Sequence, residues 1–196
     1  MTIYDKGLIR AMKAAYRDGG YDVAMTEDGL LIQGKEWGVK LNPAIVPNSI
    51  KSLIVLHNGA MPRMDRAVHI EKGEIGEVIL EMVTGAMEDI AVEYTAKGGM
   101  AIKPTRVTFD GKRVWQLADT LSVRLVDPDN QQMLMFLYGE NPDVHLVGGI
   151  LYCRMHDGCS VYIRPEFIMP EDKPLLEHLS QMQWIPVYCH IHSIAS

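Results

Sequence analysis

The stretch from Glu74 to Tyr94, EIGEVILEMVTGAMEDIAVEY, constrains the fold more than any other part of the chain. It carries six carboxylates (Glu74, Glu77, Glu81, Glu88, Asp89 and Glu93) and no basic residue, matching the net charge of −6 of the whole protein. Ile75, Ile79, Met82, Val83, Ala86, Met87, Ile90 and Tyr94 recur at helical spacing and make one apolar stripe. The spacing predicts a core helix about 31 Å long with a negative outer surface.

A chain of 196 residues is expected to form one α+β domain spanning 1–196, or two subdomains meeting near residues 97–105. Hydrophobic residues at 47% with 22% charged residues fit a globular protein and argue against extended disorder. No apolar run reaches the roughly 20 residues that span a bilayer, and the charged start MTIYDKGLIRAMKAAYRDGG lacks the apolar run of a signal peptide. A cytoplasmic location with no membrane partner is the resulting expectation. Cys153, Cys159 and Cys189 are then expected to be thiols.

Along the chain, Thr2 to Arg17 reads as a helix closed by Gly19-Gly20. Tyr21 to Gly34 reads as a hairpin about Glu27-Asp28-Gly29, and Trp37 to Leu41 as a third strand. Ser49 to His57, with Asn48 as its cap, suits a helix, although its apolar run also suits a buried strand. Ala67 to Glu71 reads as a strand ahead of the acidic helix.

Beyond that helix, Arg106 to Leu117 is a hairpin about Asp110-Gly111, in which Val107 faces Val114. Leu121 to Leu125, Met133 to Tyr138, Leu146 to Met155, Ser160 to Ile163 and Trp184 to Ile194 read as strands. Asp127 to Asn130 reads as a turn, and a short helix opens at Pro170-Glu171-Asp172. The class is therefore α+β: a mainly antiparallel sheet packed by an N-terminal helix, a long central helix and a short C-terminal helix. Each half also runs helix, Gly-Gly, strand, Asp-Gly turn, strand, a pattern that suggests a duplication and requires both halves to share strand order and handedness.

The sequence holds no nucleophile elbow, P-loop, zinc-protease helix or dinucleotide fingerprint, and no catalytic residue or cofactor is assigned from it. Cys153, His156, Cys159, Cys189, His190 and His192 are metal-ligand types. With Asp157-Gly158 as a turn, however, Cys153 is expected on the face opposite His156 and Cys159. His190 and His192 share one strand face and are the alternative metal site, for a metal-dependent enzyme. Glu74 and Glu77 resemble the first half of the E-x-x-E signature of all-helical nucleotide pyrophosphohydrolases. The second element is missing, and the chain is not placed in that family.

Charge segregation points to a noncatalytic interaction or regulatory module. Lys6, Arg10, Lys13 and Arg17 form a basic stripe on the first helix, which makes direct nucleic-acid binding a further alternative. The acidic stretch faces a basic protein surface in this reading, including a groove that ordinarily holds nucleic acid, as an inhibitor or decoy does; self-association is compatible with it. Glu74, Glu77 and Glu81 suit the N-terminal end of a helix dipole, whereas Glu88, Asp89 and Glu93 oppose its C-terminal end. All six acids are candidate partner-binding residues, and the later three, lacking an ordinary explanation, are the first place to look.

Overall fold

The computed structural model describes residues 5–138, 143–155 and 158–184. Helix α1 (Lys6–Ala15) leads into a meander of β1 (Tyr21–Thr26), β2 (Gly29–Gln33) and β3 (Trp37–Leu41). Then follow α2 (Asn48–Asn58), a hairpin of β4 (Arg66–Glu71) and β5 (Glu74–Val78), and α3 (Leu80–Lys97). The second half runs β6 (Met100–Phe109), β7 (Lys112–Leu117), β8 (Val123–Val126), α4 (Pro128–Tyr138), β9 (His145–Val147) and β10 (Ile150–Arg154), with β11 (Ser160–Ile163) and α5 (Lys173–Ser180) after it.

The strands join one sheet in the order β5-β4-β1-β2-β3-β11-β10-β9-β6-β7-β8, and every neighbouring pair is antiparallel. The α+β class with an antiparallel sheet is as the sequence predicts. Side chains alternate between its two faces. Leu30 and Ile32 join the core under α1, α2 and α4, while Leu31 joins the core under α3. A smaller core under α5 gathers Leu176 against Val114, Val123 and Leu125.

The order β5-β4-β1-β2-β3 recurs as β10-β9-β6-β7-β8. Six antiparallel steps separate β1 from β6, an even number, so the two strands run the same way. Helices α2 and α4 cover the same face, since Ile50 and Ile54 share a core with Met133 and Leu134. The two units thus have the same strand order and the same hand, which is what the sequence hypothesis of a duplication requires. Its proposed match of α1 with α3 does not hold, because those helices lie on opposite faces. The parity also explains β11. Units related in this way bring β3 and β10 together as parallel strands, and β11 lies between them antiparallel to both.

Helix α1 ties the two units together. A Cβ on Gly7 would lie 2.7 Å from the Gln132 carbonyl oxygen, so glycine lets α1 close onto α4.

Several sequence expectations are corrected. Glu74 to Val78 is strand rather than helix: Lys72-Gly73 turns the chain, and Glu71 pairs with Glu74 and Ala67 with Val78. Glycine at 73 has φ 88°, the left-handed conformation that glycine adopts without strain. Pairing and burial of Val78 against the core outweigh the helical spacing of Ile75 and Ile79, which stay exposed. Met133 to Tyr138 belongs to a helix, because Asp127 Oδ1 accepts from the Asp129 amide at 2.8 Å and Pro128 opens the first turn. Leu146 to Met155 is a hairpin about Gly148-Gly149.

In the β6–β7 hairpin a bulge between Pro104 and Thr108 sets Trp115 opposite Pro104, which removes the expected pairing of Val107 with Val114. Thr105 holds the bulge: its hydroxyl donates to the Val114 carbonyl at 2.8 Å and accepts from the Val107 amide at 3.0 Å.

Candidate interaction surface

The acidic residues of the central stretch do not share one helix face. Glu74 and Glu77 lie on β5, the end strand of the sheet, and Glu81 lies in the first turn of α3. All three are exposed and form no ion pair within 4 Å among the described residues. Being in a strand, Glu74 and Glu77 lose the helix-dipole explanation that the sequence offers for them.

Glu88, Asp89 and Glu93 gain a local one. Helix α3 crosses the sheet with a polar cleft on each flank. The first, of about 220 Å³, is lined by Glu88 and Thr84 of α3, by Lys40, Ser160 and Arg154 of the sheet, and by Asp28 of the β1–β2 turn. Register sets Lys40, Ser160 and Arg154 in one row across β3, β11 and β10. The second cleft, of about 200 Å³, brings Asp89 and Glu93 together with Arg164. Glu93 also meets Lys97 at 3.4 Å, one turn further along the helix. Cations thus share these clefts with the carboxylates, and the nearby positive charge lowers the cost of acids near a helix C-terminus. Glu88 and Asp89 themselves stay exposed and form no ion pair within 4 Å among the described residues.

Helix α1 carries the predicted basic residues on the far side of the sheet from α3. Lys6, Arg10 and Lys13 lie on the helix, and Arg17 just beyond it. Arg10 donates to Gln132 of α4, and Arg17 Nε donates to the Lys13 carbonyl at 3.0 Å. The basic and acidic helices therefore present opposite signs on opposite faces.

Cys153 and Cys159 are both buried, in the same core on the α1 face. This corrects the expectation of opposite faces: Met155 donates its amide to the Cys159 carbonyl at 2.9 Å, a register one residue away from the predicted one. His156, Cys189, His190 and His192 lie outside the described residues. Among the described residues no group of three or more His, Cys, Asp or Glu side chains is placed to hold a metal ion.

Two histidine clusters escape sequence reasoning, because their partners are distant in the chain. His57 Nδ1 lies 2.9 Å from the Tyr21 hydroxyl, and its ring stacks on Tyr16 at 3.8 Å between centroids. Burial, aided by the Lys13 charge, lowers the His57 pKa and favours the neutral ring, whose tautomer sets which of Nδ1 and the Tyr21 hydroxyl donates. His69 Nδ1 meets Asp22 Oδ1 at 2.7 Å on the α3 face. Their row continues through Gln33 and Gly38 to Tyr162, whose hydroxyl is pushed up to about 12 chiefly by burial.

No known protein family matches the chain, and neither curated proteins nor solved structures gave a match.

Proposed function

We propose that this protein is a noncatalytic interaction module that docks a basic segment of a partner protein along the acidic edge formed by Glu74, Glu77 and Glu81. The observation that carries the reading is their exposure at one end of the sheet without an ion-pair partner among the described residues. Exposed, unpaired charges of one sign cost little in water and steer a complementary partner into register. A cationic groove that ordinarily takes nucleic-acid phosphate is one chemistry that fits, and the protein then acts as an inhibitor or decoy. The basic stripe on α1 gives weaker support to nucleic-acid binding, since Arg10 and Arg17 already hold contacts within the fold.

Selection of random displayed peptides on the immobilised protein tests the reading. Enrichment of Lys- and Arg-rich segments is expected, with capture falling as salt rises and lost in the triple variant Glu74→Lys, Glu77→Lys, Glu81→Lys. Peptides with no basic bias, or equal capture by the triple variant, would sink it.

A further inference from the structure

We infer that the basic partner segment binds as an added antiparallel strand on β5, in the register that β11 already uses on β10; this deepens the docking reading and rests on it. The repeat supplies the argument. Both β4–β5 and β9–β10 are hairpins with two-residue turns, Lys72-Gly73 and Gly148-Gly149. Counting from those turns makes Glu74, Ile75, Gly76 and Glu77 the counterparts of Ile150, Leu151, Tyr152 and Cys153. The faces agree. Ile75 pairs with Ile70 and Leu151 with Leu146, and both partners lie in the core under α1, α2 and α4.

In such a hairpin the residues flanking the turn exchange hydrogen bonds, and alternation turns the amides and carbonyls of the next residues outward. On β10 those are Leu151 and Cys153, which face Ile163 and Val161 of β11. On β5 they are Ile75 and Glu77, and among the described residues no strand lies on that outer side to take them up. The molecule thus shows on one hairpin the strand that its counterpart lacks.

Register also sets the composition of the occupant. The residues opposite Glu77 and Glu74 are cations, because directly opposed side chains of opposite charge stabilise a strand pair. The residue opposite Ile75 is apolar, as Ile163 is opposite Leu151. The one between them faces Gly76, beside which nothing lies within 4 Å, so a large side chain fits there. Tyr162 occupies the matching place on β11. Read from its N-terminus, the segment is cation, large residue, apolar residue, cation.

The probe is the labelled peptide Gly-Ser-Lys-Tyr-Ile-Arg-Ser-Gly, followed by fluorescence anisotropy. Proline at 77 removes an outward amide and leaves the pairing with β4 intact, as edge strands tolerate. Glu77→Pro is expected to bind about tenfold more weakly than Glu77→Gln, which loses the same charge and keeps the amide. Equal binding by these two variants overturns strand addition and leaves acidic docking in place. Unchanged binding by Glu74→Lys, Glu77→Lys overturns both. Amide hydrogen exchange on the wild-type protein keeps the test independent of the proline variant: the peptide is expected to protect the Ile75 and Glu77 amides, and no protection overturns the inference.

Discussion

Ile75 and Leu151 stand two residues past a two-residue turn on the same face of the sheet, yet Ile75 is 53% exposed and Leu151 is fully buried. Leu151 has β11 beside it, and among the described residues Ile75 has no strand on its outer side. One topology built twice therefore yields a sealed position and an open one.

This asymmetry sets the first prediction. Leu151→Ala is expected to cost about 2–5 kcal/mol, through lost burial and an unfilled cavity, and Ile75→Ala about 0.5 kcal/mol or less. Denaturant unfolding measures both. Comparable losses at the two sites would mean that β5 is covered in the folded protein.

A glycine pair gives the second. A Cβ on Gly38 would lie 2.3 Å from Tyr162 Cε1, and that ring is buried. Gly38→Ala is expected to destabilise by about 1–3 kcal/mol by overpacking, whereas Gly76→Ala, with open space around it, changes stability little. Thermal unfolding of the two variants decides; a neutral Gly38→Ala would show that Tyr162 does not lie across β3.

The same contrasts explain what was legible in the sequence. The meander from Tyr21 to Leu41 could be read because its alternation and its Asp28-Gly29 turn signal agree with the tertiary pairing. Glu74 to Val78 could not, because Ile75, Ile79 and Met82 mimic a helical stripe while facing solvent, and Lys72-Gly73 is a weaker turn signal than Asn-Gly. Asp127-Pro128 is a helix-start signal that also reads as a turn, and the Gln131 amide donating to the Asp127 carbonyl at 2.9 Å, a helical bond, separates the two. At the candidate surface, the identity of the acids was readable and their partners were not. Nothing local tells that Glu88 shares a cleft with Lys40 and Arg154, since those contacts depend on how α3 crosses the sheet.

That division of the acids supplies the third prediction. Glu88→Lys places a third cation in a cleft with Lys40 and Arg154 and is expected to lower stability by about 0.5 kcal/mol at low salt, an effect that added salt removes. Glu77→Lys meets no such cluster and is expected to leave stability unchanged while weakening capture of basic peptides. Unfolding midpoints at two ionic strengths, with peptide binding alongside, measure the contrast. A Glu88→Lys variant that folds normally but loses peptide capture would move the docking surface to α3.

The fourth prediction concerns His57, which faces Lys13 of α1, Tyr16 just after that helix and Tyr21 of β1. Burial and the Lys13 charge hold its pKa below the ordinary 6.5, so the unfolded chain binds the proton more readily than the folded one. Stability linked to this ring is therefore present above pH 6.5 and falls as the pH drops from 6.5 toward the lowered folded value. In the protonated ring Nδ1 can only donate, so the Tyr21 hydroxyl must then accept. The variant His57→Gln keeps an acceptor for Tyr21 and does not titrate. Its unfolding midpoint is expected to fall less than that of the wild type between pH 7 and about pH 5, the carboxylates being common to both proteins. A wild-type midpoint that instead holds up better than the variant's across that range would mean that the folded protein stabilises the imidazolium, and would overturn the lowered pKa of His57.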